Sequence, residues 1–315
     1  MLNLLSTLRR FPVELREVLA VATLSLPRGA IRRAVAGRHG PPAVQSDPVL
    51  RDPEYLGRVL DVLDIAARRY FRWEVRGAEH IPAQGAALLV GSHNGGLLNT
   101  DSYLTLLAVR QRLGLQRALH VLSHDIVFFD PVLGRIAARL GILRAGHESA
   151  SQAFGHGRMV LVYPGSDLDT FRRFSERGKI ELGGRTGFIK LVLRQGVPIV
   201  PVVSAGTHEQ LVVIARGEEF ARRSGLKTHF RAEAFPLVLS APWGLTTGFL
   251  PYLPLPAQTT LAFGKPIAWP ELGPSAAEDP VIVGQCYERV RSEMQALLDT
   301  VTVGRKWLRG QGRRG

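Results

Sequence analysis

The sequence predicts an α/β fold: a single domain with a mostly parallel central sheet flanked by helices, preceded by an N-terminal helical segment. Between about residues 70 and 270, apolar runs of strand length alternate with helical patterns, and strands that alternate with helices pair in parallel. The run at residues 86–90 (AALLV) has the length and continuous apolar character of a strand buried on both faces. With 315 residues, 45% of them hydrophobic, the chain is long enough to bury such a core.

The N-terminal segment, residues 1–38, mixes apolar and basic residues at helical spacing. This pattern is typical of a helix at a membrane interface and equally of a helix that packs on the domain. Residues 40–42 (Gly-Pro-Pro) interrupt the pattern, which resumes over residues 52–70. The sequence thus divides into an N-terminal helical segment of interfacial character (1–69), the α/β domain (70–272), and a C-terminal helix with a basic tail (273–315).

Periodicity predicts the elements of the α/β region in turn. Asn99 or Thr100 is suited to cap the helix that starts near Asp101. The final stretch RKWLRGQGRRG is basic and is expected to be mobile. The predicted strands are 71–77, 86–90, 119–123, 159–163 and 197–203, and the predicted helices start at 101, cover 134–140, 149–156 and 186–194, and start again at 279.

Composition narrows the class of partner. The chain has 40 Lys and Arg against 27 Asp and Glu, a net charge of +13, which favours anionic partners such as lipid headgroups, nucleic acid or phosphorylated small molecules. A single cysteine, Cys286, excludes a disulfide framework and indicates a reducing compartment. Asp167 and Asp169 are two acids without matching ligands elsewhere, so no metal site is predicted.

Residues 234–264 form a long uncharged stretch that contains five prolines. The prolines and internal glycines argue against a single membrane-spanning helix and favour short strands and loops. Exposed apolar side chains here would suit shallow contact with a bilayer, and an ordinary buried connection is the equal alternative. The residues concerned are Trp243, Leu245, Phe249, Leu250, Tyr252, Leu253 and Leu255.

The best candidate for chemistry is His93, which follows the apolar strand 86–90 directly after Gly91-Ser92. A neutral imidazole accepts a proton near pH 7, and a carboxylate on its other nitrogen fixes the tautomer and stabilises the imidazolium. Asp101, at the start of the next helix, is the nearest such carboxylate. Taken alone, one histidine and one aspartate are a weak signal, and the pair is more often a core histidine and an acid at a helix start.

Four separated blocks, in this order, resemble the lysophospholipid (glycerolipid) acyltransferase superfamily. They are LLVGSHNGG with Asp101, LGILRAGHESA at 140–150, VLVYPGSDLDTFR at 160–172 and VPIVPVV at 197–203, and FGKPI at 263–267 is similar to the closing strand of the family. The resemblance extends from about residue 71 to about residue 270. Several blocks in the right order are far more specific than any one of them.

Two departures from the family pattern bear on the site. Seven residues separate His93 from Asp101 where the family has four, so Asn94 and Asp125 remain alternative partners of the histidine. Gly165-Ser166-Asp167 follows Pro164 where a glutamate is expected, which resembles the diacylglycerol-acyltransferase-like subgroup. The acceptor is therefore not restricted to a lysophosphatidic acid.

The resemblance implies transfer of a fatty acyl group from acyl-CoA or acyl carrier protein to the hydroxyl of a glycerolipid or similar amphiphilic alcohol, with His93 as general base and Asp101 beside it. It implies no cofactor apart from the acyl donor as co-substrate, and no metal. The expected partners are the acyl donor, a glycerolipid or lysolipid acceptor and a membrane surface, with no nucleic acid. The expected location is the cytoplasmic face of the membrane, as a peripheral protein.

Substrate contacts are expected at the turns that follow strands, where open α/β sheets bind ligands. Arg144 stands where the family has an arginine for the acceptor phosphate, with a salt bridge to Glu148 as the alternative. Backbone N–H groups of the glycine turns are candidates for stabilising an oxyanion. The expected substrate-binding residues are Asn94, Gly95, Gly96, Arg144, Pro164, Gly165, Ser166, Arg172, Arg173, Lys179 and Arg185.

Three other functions remain open at this point. The departures leave room for a catalytically inactive, acyltransferase-like protein that binds lipid. The positive charge suits a nucleic-acid-binding protein, although no binding signature accompanies it. A serine hydrolase would have Ser92 as its nucleophile, yet the sequence has no glycine-x-serine-x-glycine elbow there.

Overall fold

A seven-stranded, mostly parallel sheet organises the structure, a computed structural model that describes residues 47–93, 96–223, 234–250 and 252–311. The predicted helix in residues 1–38 lies outside the described residues, as do Asn94 and Gly95. The strands lie in the order β1-β10-β6-β2-β5-β3-β4, and only the β10–β6 pairing is antiparallel. The predicted fold class is confirmed. The strands are β1 Glu74–Arg76, β2 Ala87–Gly91, β3 Leu119–Ser123, β4 Ile142–Arg144, β5 Met159–Val162, β6 Ile199–Ala205 and β10 Thr260–Phe263.

Helices connect the parallel strands and cover both faces of the sheet. Asp52, Asp130 and Asp279 cap α1, α4 and α9, each followed by a proline at the helix start. The helices are α1 Pro53–Arg69, α2 Thr100–Leu113, α3 Ile126–Phe129, α4 Pro131–Arg139, α5 His147–Gly155, α6 Ser166–Thr170, α7 Gly187–Gln195, α8 Glu218–Arg223 and α9 Pro280–Thr302.

Alternation along β2 divides the hydrophobic core into two layers. Leu88 and Val90 point to one layer, which α5, α7 and α9 complete. Ala87 and Leu89 point to the other, which α1 and α2 complete. Because successive side chains of a strand face opposite sides, a continuous apolar run is what a doubly covered strand requires.

Some predicted boundaries differ from the structure for local reasons. The predicted strand 71–77 is only three residues long, and Arg72 before it has a positive φ of 44°, outside strand geometry. Asn99 precedes α2 in a left-handed conformation and makes no side-chain capping hydrogen bond. The side-chain cap expected from Asn99 or Thr100 is therefore wrong.

A second, antiparallel sheet has three strands: β7 Val212–Ala215, β8 Leu237–Ser240 and β9 Gly244–Thr247. Of these, β8 and β9 lie in the uncharged stretch 234–264. Short strands and loops are what the prolines of this stretch predict. Of the apolar residues considered above, Trp243, Leu245, Leu250 and Leu253 are exposed, Phe249 and Leu255 are half-buried, and Tyr252 is buried.

The C-terminal residues 305–311 form a small hairpin of β11 Arg305–Lys306 and β12 Gly310–Gln311. The Arg305 guanidinium is only 5% exposed and donates to Glu209 Oε1 at 2.7 Å and to Gln258 Oε1 at 2.7 Å. The prediction of a mobile tail is therefore wrong for residues 305–311. Arg305 neutralises the buried Glu209, and this ion pair anchors the segment to the domain.

Among the described residues, every helix is too short or too polar to cross a membrane.

Candidate active site

His93 lies at the carboxyl edge of the sheet, two residues after β2 ends at Gly91. The neighbouring strand β5 pairs with β2 in parallel, with Val162 opposite Val90, so Tyr163 leaves the sheet beside the histidine. The two rings stack with centroids 4.4 Å apart. A Cβ at position 91 would lie 2.3 Å from the Tyr163 ring, so only glycine leaves room for this contact.

Asp101 holds the imidazole. His93 Nδ1 lies 2.9 Å from Asp101 Oδ2, and the backbone N–H of Ser102 donates to Asp101 Oδ1 at 2.8 Å. The aspartate side chain is 3% exposed and the histidine side chain 13% exposed. The carboxylate is therefore fixed and shielded, while the imidazole keeps an edge toward solvent.

The local backbone explains how residues eight positions apart come into contact. Residues Gly96–Leu98 form a 3₁₀ turn, and Asn99 follows with φ 49° and ψ 43°. These two features fold the connection back, so that the first turn of α2 brings Asp101 to the ring. The wider spacing is thus accommodated by a longer loop.

The pKa of His93 is raised above its ordinary value. Burial acts to lower it, but the charge and hydrogen bond of Asp101, the charge of Asp169 and a hydrogen bond donated to the Asn99 side chain together outweigh burial. The imidazole is therefore a stronger base than a histidine in water.

Beneath His93 lies a buried charge network that the sequence interpretation missed. Asp169 is 0% exposed and accepts hydrogen bonds from the backbone N–H of His93 and, at 3.1 Å, from Ser92 Oγ. The Arg172 guanidinium pairs with the same carboxylate and donates to Ser92 Oγ at 3.3 Å. Asp169 was considered only as a metal ligand, and the available signal was its i, i+3 spacing to Arg172 in the third block.

Burial raises the pKa of Asp169 to about 6, although Arg172, the His93 N–H and Ser92 all act to lower it. Burying this carboxylate costs desolvation free energy, and its hydrogen bond to the His93 N–H fixes the backbone that carries the histidine. Asp169 can pack this closely against the turn after β5 only because residue 165 is glycine. A Cβ at that position would lie 2.3 Å from Asp169 Cβ.

The expected substrate-binding cations separate into two groups. Arg172 is 1% exposed and bound to Asp169, so direct contact with a substrate phosphate is ruled out in this arrangement. Arg185 is half-buried and donates to the carbonyl of Pro164 at 2.9 Å, which braces the turn after β5. Arg173 and Lys179 are exposed. Pro164 and Gly165 are buried, Ser166 begins α6 with a φ of 51°, and Gly96 is buried.

Arg144 ends β4 at the same edge and pairs with Asp125, two residues after β3 ends. Arg144 Nε and Nη2 lie 2.6 and 3.1 Å from the two Asp125 oxygens. The bridge considered from sequence, to Glu148, is therefore replaced by a bidentate one to Asp125. Because β4 is three strands from β2, Arg144 lies about 14 Å along the edge from His93.

The structure also bears on two alternatives, a serine hydrolase and a metal site. The Ser92 hydroxyl is buried and donates to Asp169, whereas a serine nucleophile has to be exposed beside its base. Among the described residues, no group of three or more histidine, cysteine, aspartate or glutamate side chains is arranged to hold a metal ion.

Comparisons with known proteins identify a family to which this chain is similar. A family model described as Acyltransferase matches residues 72–205, the part of the chain that carries His93, Asp101 and Asp169. An uncharacterized protein of Mycobacterium tuberculosis is 31% identical over 256 residues, covering 81% of this chain and 69% of that protein. One of Mycobacterium leprae is 30% identical over 256 residues, covering 81% and 67%.

Two matches of lower identity are to proteins whose descriptions state an activity. A chicken protein described as a DGAT1/2-independent enzyme synthesizing storage lipids is 26% identical over 152 residues, covering 48% of this chain and 44% of that protein. Among solved structures, the 1-acyl-sn-glycerophosphate (LPA) acyltransferase PlsC from Thermotoga maritima aligns over 90% of both chains, with 13% identity and a TM-score of 0.45. On the match to the family model and the extent of the mycobacterial relatives, the chain belongs to the acyltransferase family.

Proposed function

We propose that this protein transfers a fatty acyl group from acyl-CoA or acyl carrier protein to the hydroxyl of a glycerolipid or a similar amphiphilic alcohol. The observation that carries the proposal is the His93 Nδ1 to Asp101 Oδ2 contact of 2.9 Å, at the carboxyl edge of the sheet, in a chain of the acyltransferase family. Such a pair makes an imidazole a base without a metal or a covalent nucleophile.

In the proposed reaction, Nδ1 donates to Asp101 and the other ring nitrogen, Nε2, takes the proton of the acceptor hydroxyl. The oxygen attacks the thioester carbonyl carbon, and the negative charge moves to the carbonyl oxygen. The C–S bond then breaks, the ester is released, and the thiolate takes the proton back from His93. Donors for the oxyanion are backbone N–H groups of the turn after β5 or of the turn that follows His93.

The raised pKa of His93 fits this role. A base with a pKa near the working pH is neutral often enough to act and basic enough to take a proton in the transition state. Asp101 stabilises the imidazolium that forms, and Asp169 holds the backbone N–H of His93, so that the ring is positioned from two sides.

The basic residues at the same edge suit substrates that bear phosphate. Arg173 and Lys179 are exposed and Arg144 is partly exposed, and headgroup or coenzyme phosphates are their natural anions. Arg144, about 14 Å from the base, would contact a phosphate well removed from the reacting hydroxyl.

The amphiphilic substrates also imply a place of work. We propose that the protein acts as a peripheral protein on the cytoplasmic face of a membrane, supported by its net charge of +13 and its single cysteine. Deleting residues 1–38 is then expected to move protein from the liposome pellet to the supernatant. An unchanged distribution would remove this segment from the membrane interaction.

The decisive experiment is an acyl-transfer assay on purified wild-type and His93→Gln protein. Acyl-CoA and acyl carrier protein are each offered with lysolipid, diacylglycerol and long-chain alcohol acceptors. His93→Gln is expected to lower the rate by a factor of about 10² to 10⁴ and to leave folding intact. The matched control is His156→Gln, since this exposed histidine caps α5 at the amino end of β5.

Two results would overturn the proposal. One is a wild-type rate in folded His93→Gln protein. The other is the absence of transfer by wild-type protein with every pair, together with retained lipid binding, which would favour the inactive lipid-binding alternative.

A further inference from the structure

The three-stranded sheet exposes apolar side chains on one face and buries them on the other. Leu237 and Leu239 of β8 are 42% and 50% exposed, whereas the alternate residue Val238 is 1% exposed. Leu245 of β9 and Ile214 of β7 are 62% and 49% exposed. An antiparallel sheet with one face in water normally has polar side chains on that face. The exposed apolar side chains therefore indicate a surface that contacts a partner.

The register makes the exposed side chains contiguous. Leu239 lies opposite Leu245 on one side and opposite Val212 on the other, and directly opposed side chains are close neighbours. Trp243, in the turn between β8 and β9, and Leu253, bridged to Ala241, extend the surface and are 55% and 60% exposed. We call Ile214, Leu237, Leu239, Trp243, Leu245 and Leu253 the apolar face.

The back of the sheet packs on the loops that carry the candidate site. Val213 and Val238 share a buried cluster with Phe171 and Tyr252. Tyr252 also lies against Gly96, where a Cβ would be 2.7 Å from its hydroxyl. Phe171 precedes Arg172 and Gly96 follows His93 by three positions. The buried side of the sheet therefore contacts the two turns of the site, and the apolar face lies on the other side of this single sheet.

The composition of the surface selects a lipid bilayer as its occupant. Residues 234–264 contain no charged residue, while the whole chain carries +13. A charge of this size attracts an anionic membrane and repels a second copy of the same chain. Exposed leucines with a tryptophan at a turn are typical of side chains at a lipid interface.

The size of the surface argues in the same direction. Three strands of four residues each make a face of about 13 by 15 Å, or about 200 Å². A stable dimer needs about 800 Å² from each partner. Shallow insertion into the boundary between headgroups and acyl chains has no such minimum, because the lipids close around the inserted side chains.

We propose that the apolar face rests in the headgroup and acyl-chain boundary of an anionic bilayer and thereby holds the two catalytic turns at the membrane surface. Its catalytic benefit rests on the function proposed above, whereas its contact with the bilayer does not. Lipid acceptors would then reach His93 without crossing bulk water.

Vesicle binding by the full chain tests the contact. Leu239→Ser with Leu245→Ser should lower the partition coefficient on phosphatidylglycerol-containing vesicles about tenfold. The matched control, Ile65→Ser with Val281→Ser, removes two apolar side chains that are 57% and 65% exposed on α1 and α9, and should leave it unchanged. Thermal unfolding checks that both pairs are folded.

Fluorescence gives a direct second readout. Lipids brominated in their acyl chains should quench tryptophan emission in wild-type protein, and Trp243→Phe should remove most of the quenching. Unchanged binding of the Leu239 and Leu245 pair, or unchanged quenching of Trp243→Phe, would overturn the proposal. So would a dimer by sedimentation that this pair converts to a monomer while vesicle binding persists.

Activity separates this inference from the proposed function. The Leu239 and Leu245 pair should keep wild-type turnover of a short-chain acceptor dissolved as monomers and lose turnover of the same headgroup embedded in vesicles. If wild-type protein transfers no acyl group to any acceptor but the binding results hold, the membrane contact stands and the proposed function fails. Equal loss on dissolved and embedded acceptors would overturn the membrane role.

Discussion

Two histidines, one mostly buried and one fully buried, follow neighbouring strands at the same edge of the sheet and have opposite acid–base character. His93 comes after β2 and His208 after β6. The pKa of His93 is raised, while burial lowers the pKa of His208 to about 3. The same residue type at the same edge is thus a base at one position and permanently neutral at the other.

The charges around each ring account for the difference. His93 faces the carboxylates of Asp101 and Asp169. His208 faces the cations Arg172 and Arg177, and the backbone carbonyls of Arg172 and Arg173 only partly compensate. His120, buried in β3 beside Arg158 and Arg51, behaves like His208, with a pKa lowered to about 4. Burial alone therefore suppresses basicity, and only a carboxylate partner restores it.

Histidine titration should show the largest difference. Ring signals in NMR spectra should place the midpoint of His93 above 6.5 and show His208 neutral throughout the range from pH 8 to 5, a gap of more than about three pH units. His93 thereby adds stability that is complete below pH 6.5 and is lost as pH rises through its folded pKa. His208 removes stability as pH falls from 6.5 toward 3, because only the unfolded chain takes up the proton.

The variants His93→Gln and His208→Gln assign the two signals. A His208 signal that titrates near 6.5 would contradict the comparison, and so would a His93 midpoint below 6.5.

Arg172 links the two histidines, since it pairs with Asp169 beside His93 and lowers the pKa of His208. Arg172→Met should lower the free energy of unfolding by about 3 to 5 kcal/mol, because it leaves a buried carboxylate without its partner. It should also raise the pKa of His208. Urea unfolding and NMR titration measure the two effects.

Arg222→Met is the control for Arg172→Met. Arg222 is an exposed residue paired with Glu219, so its loss should leave the free energy of unfolding nearly unchanged. The double variant Arg172→Met with Asp169→Asn should recover part of the lost stability. Equal effects of the two single arginine variants would show that the Asp169 pair is not buried in the folded protein.

Asp101→Asn removes the carboxylate that makes His93 basic. The rate at pH 7 should fall by a factor of about 10² to 10⁴. The acidic limb of the pH–rate profile should move to lower pH, because the pKa of His93 falls when the charge of Asp101 is lost. Asp125→Asn, the partner left open by the sequence, is the control and should keep its acidic limb in place; a shift in that variant would reassign the orienting acid.

The sequence predicts most of the local framework of this site. The apolar run before His93 and the glycine at position 91 are sufficient to place a strand end, because a doubly buried strand leaves a continuous apolar signature. The partner of the histidine could not be chosen from sequence. The backbone conformation between His93 and Asp101 depends on the left-handed Asn99 and on a 3₁₀ turn, and neither can be predicted from the amino-acid sequence.

Arg172 shows why long-range contacts escaped prediction. Charged side chains are rarely buried, so an arginine after a strand is naturally interpreted as a surface ligand for phosphate. In the fold it pairs with Asp169 and donates to Ser92 Oγ, 80 residues away in sequence. Arg305 was missed for the same reason, since Glu209 lies in another part of the chain.

The smallest expected effect belongs to Arg144, the exposed counterpart of Arg172. Its pair with Asp125 has side chains 42% and 18% exposed, so Arg144→Gln should change the free energy of unfolding by less than about 1 kcal/mol. If Arg144 holds a substrate phosphate, the KM for a phosphate-bearing substrate should rise about three- to tenfold with kcat unchanged. Arg194→Gln, 41% exposed and paired with Glu278 at the far end of α7, removes the same charge elsewhere. A KM increase in Arg144→Gln alone assigns the phosphate to this edge of the sheet; equal increases would reduce the effect to overall charge, and no increase would leave Arg144 as the structural partner of Asp125.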